Sequence, residues 1–251
     1  MTKHKIESRN IVASSDYKIE ITEHGPYLVY GEPPLATQHI RANGLGESWE
    51  FKEGRTFSTA KEPTALCRCG ASKQKPYCDG THMRHKWSPK LTAHPEALLD
   101  NADITSGDEL TLADNRQYCA FARFCDAGEG VWSATEASFD DRARRLAIRQ
   151  ASMCPSGRLA IWGNDSDHPF EPNYPPSLGL IEDDVLESSG PLWVRGGIRI
   201  EREDGVAYEV RNRTTLCRCG ESANKPYCDG THAAIGWKDN IKEKNELVEN
   251  E

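Results

Sequence analysis

Cys67, Cys69, Cys78 and His82 recur at the same mutual spacing as Cys217, Cys219, Cys228 and His232. The segments that carry them read CRCGASKQKPYCDGTH and CRCGESANKPYCDGTH and differ only at 71/221, 73/223 and 74/224. A packed core tolerates volume-conserving swaps, whereas a metal site cannot lose a ligand. Three thiolates and one imidazole complete a tetrahedral zinc site. The same donors can instead hold a [2Fe–2S] cluster with two protein ligands per iron. Zinc fingers favour two to four residues between the paired cysteines, so the C-x-C spacing tips the balance to iron. Asp79-Gly80 is a turn dipeptide that returns His82 beside Cys78 and can start a short helix facing an anionic group.

A second kind of set lies between the copies. Cys119 and Cys125 are separated by five residues, and Cys154 is followed by Pro155. Bacterial four-iron sites use C-x2-C-x2-C with a remote Cys-Pro. Here the middle position is Ala122, which cannot coordinate iron. Buried free cysteines, packing as small apolar residues, are the alternative. His4, His24, His39, His85, His94 and His168 lack such a context, and only His85 is near a candidate ligand.

Both sixteen-residue segments fit C-x-C-x2-S-x3-P-x-C-D-G-T-H and resemble the CDGSH iron–sulfur (NEET) family. The resemblance implies that Cys67 and Cys69 hold one iron of a [2Fe–2S] cluster and Cys78 and His82 the other. Cys217, Cys219, Cys228 and His232 would act likewise. It also implies that the two copies pair about a twofold axis within one chain. The middle segment is similar to divergent single-cluster ferredoxin domains, which implies a [3Fe–4S] cluster on Cys119, Cys125 and Cys154. A [4Fe–4S] form with an outside ligand stays open.

The rest of the chain must position these donors. Its 251 residues allow one large or several small domains, and its mean hydropathy of -0.69 points to small cores that need staples such as metals. The net charge of -8 argues against a nucleic-acid binder. No apolar run is long enough for a membrane helix, and the first residues do not resemble a signal peptide. The expectation is a cytoplasmic protein, whose nine cysteines serve metals rather than disulfides.

The repetition extends upstream, where HGPYLVYGEPPL (24–35) matches SGPLWVRGGIRI (189–200) as a Gly-Pro turn followed by alternating strand residues. The first copy carries fifteen extra residues before its cysteines, including ATQHIRANGLGE, which reads as a longer hairpin or loop. In the middle segment DELTLAD reads as a strand, and Ser138 opens a capping-box-like helix start. Ala143, Leu146, Ala147, Ala151 and Cys154 share a helical face that ends at Pro155. RLAIW reads as a strand and 167–179 as a linker. The expected fold class is α+β: a CDGSH domain at 15–90, a ferredoxin-like domain at 91–187, a second CDGSH domain at 188–238 and a flexible tail at 239–251.

Three clusters on a small chain predict a one-electron carrier or relay working with a redox partner protein, as a monomer and not as an enzyme. No phosphate loop or nucleophile motif is present. The alternatives are cluster storage, transfer to an apo-acceptor or redox and pH sensing, since imidazole titrates near neutrality, and a structural zinc protein. The matching copies predict that the two sites respond alike to substitution.

Overall fold

A computed structural model describes residues 13–94 and 96–241. The first copy supplies β1 (Lys18–Ile21), β2 (Tyr27–Tyr30), β3 (Leu35–Ala42), β4 (Ser48–Phe57) and β5 (Thr64–Leu66). The middle segment supplies β6 (Asp103–Ser106), β7 (Leu110–Asp114), α1 (Val131–Glu136), α2 (Asp141–Met153) and β8 (Leu159–Gly163). The second copy is built of β9 (Ser177–Asp183), β10 (Ser188–Arg195), β11 (Arg199–Arg202), β12 (Arg213–Leu216) and the single turn α3 (Thr231–Ala234). The protein is mixed α+β.

Alternation makes the small strands. Ile19 and Ile21 of β1, and Tyr27 and Val29 of β2, are buried while their neighbours are half-buried. Such strands need a second face, and each copy finds it in the other. One sheet runs β11-β1-β2-β5, the other β12-β10-β9-β3-β4. Under the correspondence of the copies, β11 matches β3, and each crosses to the other's sheet. β11 lies parallel to β1, with Ile200 opposite Ile19, and β3 lies parallel to β9, with Leu35 opposite Leu178. Both sheets share one core, in which Ile19, Val29 and Leu66 meet Leu180, Val194 and Leu216. The copies therefore form the expected pseudo-twofold pair, but as one interlocked unit rather than two separate domains. The boundary at 187/188 falls in the β9–β10 hairpin, so β9 belongs with the second copy. The extra residues of the first copy are the β3–β4 hairpin, which extends the second sheet.

The middle segment has a core of its own. Leu110 and Leu112 of β7 and Ile161 of β8 pack on Val131, Ala134, Ala147 and Ala151 of the two helices. Helix α2 starts two residues later than the capping pattern suggests. Asp140 is its N-cap, accepting from Arg142 N and Ala143 N, while the Ser138 hydroxyl accepts from Glu109 N and Leu110 N instead. The helix ends at Cys154 as expected.

The segment docks on the second copy. Ala122 and Phe124 pack with Ile40, Ile181 and Trp193. Buried Arg213 of β12 donates to the carbonyls of Ala151, Ser152 and Cys154 at the end of α2 and pairs with Glu171 at 2.5 Å. The start of the expected tail is anchored: Asp239 is buried and bonds Arg218 at 2.6 Å. Residues 242–251 lie outside the described residues. Among the described residues no helix is long and apolar enough to cross a membrane.

Candidate metal centres

Each repeated segment is a loop between a strand end and a tight turn. Cys67 follows β5, and an isolated bridge pairs Leu66 with Tyr77, which brings Cys78 back beside Cys67. The non-ligand residues of the motif build the loop. The Ser72 hydroxyl donates to Tyr77 O and accepts from Gln74 N, and the Asp79 carboxylate accepts from Lys73 N and Thr81 N. Ser222 and Asp229 repeat these bonds. The amide hydrogen bonds hold the Asp79 carboxyl well below the usual range. Gly80 and Gly230 take left-handed backbone, φ 80° and 86°, to start the helical turns that carry the histidines. Gly230 N lies 3.4 Å from the Cys228 sulfur and donates to it.

The donors fall into pairs. Cys67 and Cys69 sulfurs are 3.9 Å apart, and Cys217 and Cys219 sulfurs 3.8 Å. Nδ1 of His82 lies 3.3 Å from the Cys78 sulfur, and Nδ1 of His232 lies 3.3 Å from the Cys228 sulfur. Two sulfurs at about 2.3 Å from one tetrahedral ion sit roughly 3.8 Å apart, and a sulfur with an imidazole nitrogen roughly 3.5 Å. Each pair therefore has the bite of one metal. Among the described residues, no three His, Cys, Asp or Glu side chains close on a single point as a mononuclear site requires. Within each C-x-C pair, a hydrogen bond from the second cysteine lowers the thiol of the first, Cys67 or Cys217, with backbone amides helping.

Arginines between the paired cysteines are functional neighbours that spacing alone did not single out. Arg68 is buried, donates to the carbonyls of Gly25, Pro89 and Thr22, and lies over Trp87. Arg218 occupies the matching place, donating to Gly190 O and lying over Trp237, but it also pairs with Glu182 and Asp239. Their only sequence signal is the repeated C-R-C.

The copies are not equivalent in exposure. Cys228 and His232 are buried, at 3% and 5%, whereas Cys78 and His82 are half-buried. Burial, with Arg218 adding to it, pushes the His232 ring down to about 4, so it stands neutral and able to ligate at neutral pH. The matching motifs thus sit in unlike surroundings: Gly230 of the second copy lies against Cys119 of the middle segment.

Cys119, Cys125 and Cys154 line one small cavity with Ala122, Pro155 and Arg158. Cys119 and Cys125 sit at the ends of a loop whose Phe121 and Arg123 take positive φ, 54° and 62°, and Cys154 ends α2. Burial, and then Asp126, pushes the Cys125 thiol up. The buried Arg158 guanidinium lies 4.0 Å from the Cys125 sulfur and pairs with Asp114 at 2.7 Å. An arginine among three cysteines suits an anionic group. Among the described residues, His24, His39, His85, His94 and His168 join no donor set.

The three sites touch in sequence. A Cβ on Gly70 would lie 2.1 Å from Cys219 O, and one on Gly220 would lie 2.4 Å from Cys69 O, so the two C-x-C-G loops meet backbone to backbone. A Cβ on Gly230 would lie 3.1 Å from Cys119 O. The rings of Tyr118 and Tyr227, each next to a ligand cysteine, are 4.9 Å apart.

A family model described as iron-binding zinc finger CDGSH type matches residues 24–83 and 189–233. One described as divergent 4Fe-4S mono-cluster matches residues 105–164. No curated protein and no solved structure matches.

Proposed function

From a chain that carries two CDGSH-type iron-binding segments around a divergent mono-cluster segment, we propose a one-electron relay, without enzymatic activity of its own. The observation that carries the reading is the contact order: first copy, second copy, middle set, each against the next through backbone. In this reading Cys67 and Cys69, with Cys78 and His82, hold a [2Fe–2S] cluster, as do the four matching residues of the second copy. Cys119, Cys125 and Cys154 hold a [3Fe–4S] cluster, or a [4Fe–4S] cluster with an outside ligand. Such clusters supply one-electron storage. The chain's own residues do the rest. Glycines 70, 220 and 230 let the ligand loops approach, and Arg158 stands beside the Cys125 sulfur of the middle set. Burial keeps water from the second set.

The separate donor pairs support a two-metal group over a mononuclear zinc ion at each copy. A second reading, cluster delivery to an apo-acceptor, draws on the half-buried Cys78 and His82. Holo-protein is mixed with a ferredoxin reductase in one experiment and with an apo-ferredoxin in another. Faster electron exchange than intact cluster transfer is the expected result. Fast transfer with no electron exchange would replace the relay with delivery.

A further inference from the structure

The pseudo-twofold pair would present two equal faces, but the middle segment covers one. On the other, half-buried His82 borders an open concavity of about 740 Å³. Trp87 and Pro26 line its walls, and Met83, 82% exposed, stands at its rim. This is the place where a ligand of the first set comes nearest to solvent.

The charge of that face differs from the rest of the chain. After the ligand histidine the first copy reads Met-Arg-His-Lys, the second Ala-Ala-Ile-Gly. Arg84, Lys86 and Lys90 stand where the second copy has Ala234, Gly236 and Asn240, and Lys73 replaces Ala223. All four cations are exposed, and none has an ion-pair partner among the described residues. Near them are Glu23, Glu203 and Asp79, so cations exceed anions here by one in a chain of net charge -8. A concavity on the second copy is acidic by contrast, with Glu182, Asp183, Asp184, Glu187 and Asp239 lining it beside Lys238. An apolar centre at a ligand edge with a cationic rim fits a partner with an acidic face, because complementary charge steers encounter and sets orientation.

We propose that the face formed by residues 73–90 around His82 is the docking surface for an acidic electron-transfer protein. The proposal rests on the relay reading, since it makes the first set the end at which electrons enter or leave.

The test uses holo-protein and, as probe, a strongly acidic plant-type [2Fe–2S] ferredoxin. Docking is read by calorimetry with the redox-inert gallium form of the probe. Electron exchange is read by stopped flow with the native iron form, one electron passing from the reduced ferredoxin to the oxidised chain. Wild type is expected to bind, with affinity falling as salt rises. Arg84→Glu/Lys86→Glu/Lys90→Glu is expected to weaken binding at least about tenfold at low salt, with iron content and visible spectrum unchanged. If that variant fails to fold, Lys86→Glu/Lys90→Glu carries the same expectation in part. Lys238→Glu, on the second copy, is expected to leave binding unchanged. Binding and exchange that persist in the variant would overturn the docking surface while leaving the relay standing. Docking that the variant abolishes, with no electron exchange in wild type, would sustain the surface and sink the relay. Equal loss of binding to phosphatidylglycerol vesicles, with no binding of the gallium probe, would assign the face to a membrane surface and overturn the proposal.

Discussion

Nδ1 of His82 and Nδ1 of His232 hold the same place against a cysteine sulfur, yet one ring is half-buried and the other is 5% exposed. Protons compete with metal for imidazole, and they reach the first ring more easily. Acidification of holo-protein is therefore expected to bleach its visible absorbance in two phases. His82→Cys should remove the earlier phase and His232→Cys the later one, because thiolate replaces imidazole. A single phase unchanged in the double variant would show that neither ring ligates. In metal-free protein the depressed His232 has a further consequence. The unfolded ring, near its usual 6.5, takes up a proton before the folded ring, near 4, does. Stability should fall as pH drops from about 6.5 to about 4, by up to roughly 3 kcal/mol. Urea midpoints across that range measure it, and His232→Gln should flatten the slope. At the middle set, Ala122 borders the cavity between the cysteines while also touching Phe124 and Trp193. Ala122→Cys restores C-x2-C-x2-C, and is expected to replace a three-iron EPR signal in the oxidised protein with a four-iron signal on reduction. The candidate donor sets are legible in the sequence because metal chemistry permits so few residue types. The arginines beside them were not, since a buried guanidinium is recognisable only by the carbonyls and carboxylates around it.

Docking of the middle segment draws on one buried side chain of β12 beside its apolar contact. Arg213 gathers the last carbonyls of α2, including that of Cys154, and closes on Glu171. Removing it leaves the Glu171 carboxylate with Asn212 but no cation, and the helix-end carbonyls without this donor, which costs roughly 3–5 kcal/mol for a buried pair. Arg213→Ala is expected to lower the melting temperature. It should also broaden the EPR signal of the middle cluster and leave both CDGSH-type signals intact. Strand and helix periods placed most elements: β7, β8 and the end of α2 fall where alternation and Cys154-Pro155 put them. Strand exchange was not legible. The β3 residues read only as part of an inserted hairpin or loop, and which sheet a short strand joins is decided by long-range packing rather than by local pattern. The helix start was misplaced for a related reason, as Ser138 and Asp140 both offer a capping oxygen and the β7 backbone claims the first.

At the scale of the molecule, the sites form a line with unlike ends. The first set lies at a cationic face, the second is enclosed, and the middle set is reached from its own module. Two glycines carry the junction between the copies. At Gly70 the φ of 76° and the 2.1 Å approach to Cys219 O exclude any side chain. Gly70→Val should separate the C-x-C-G loops and slow electron exchange between the two [2Fe–2S] sites, seen as the loss of spin coupling in the fully reduced protein. All of this rests on three clusters in one chain. Iron and acid-labile sulfide analysis with EPR on anaerobically purified protein tests that directly. Roughly seven irons and about eight sulfides per chain, with two classes of signal, are expected from two [2Fe–2S] clusters and one [3Fe–4S] cluster. About two zinc ions per chain with no sulfide would contradict it.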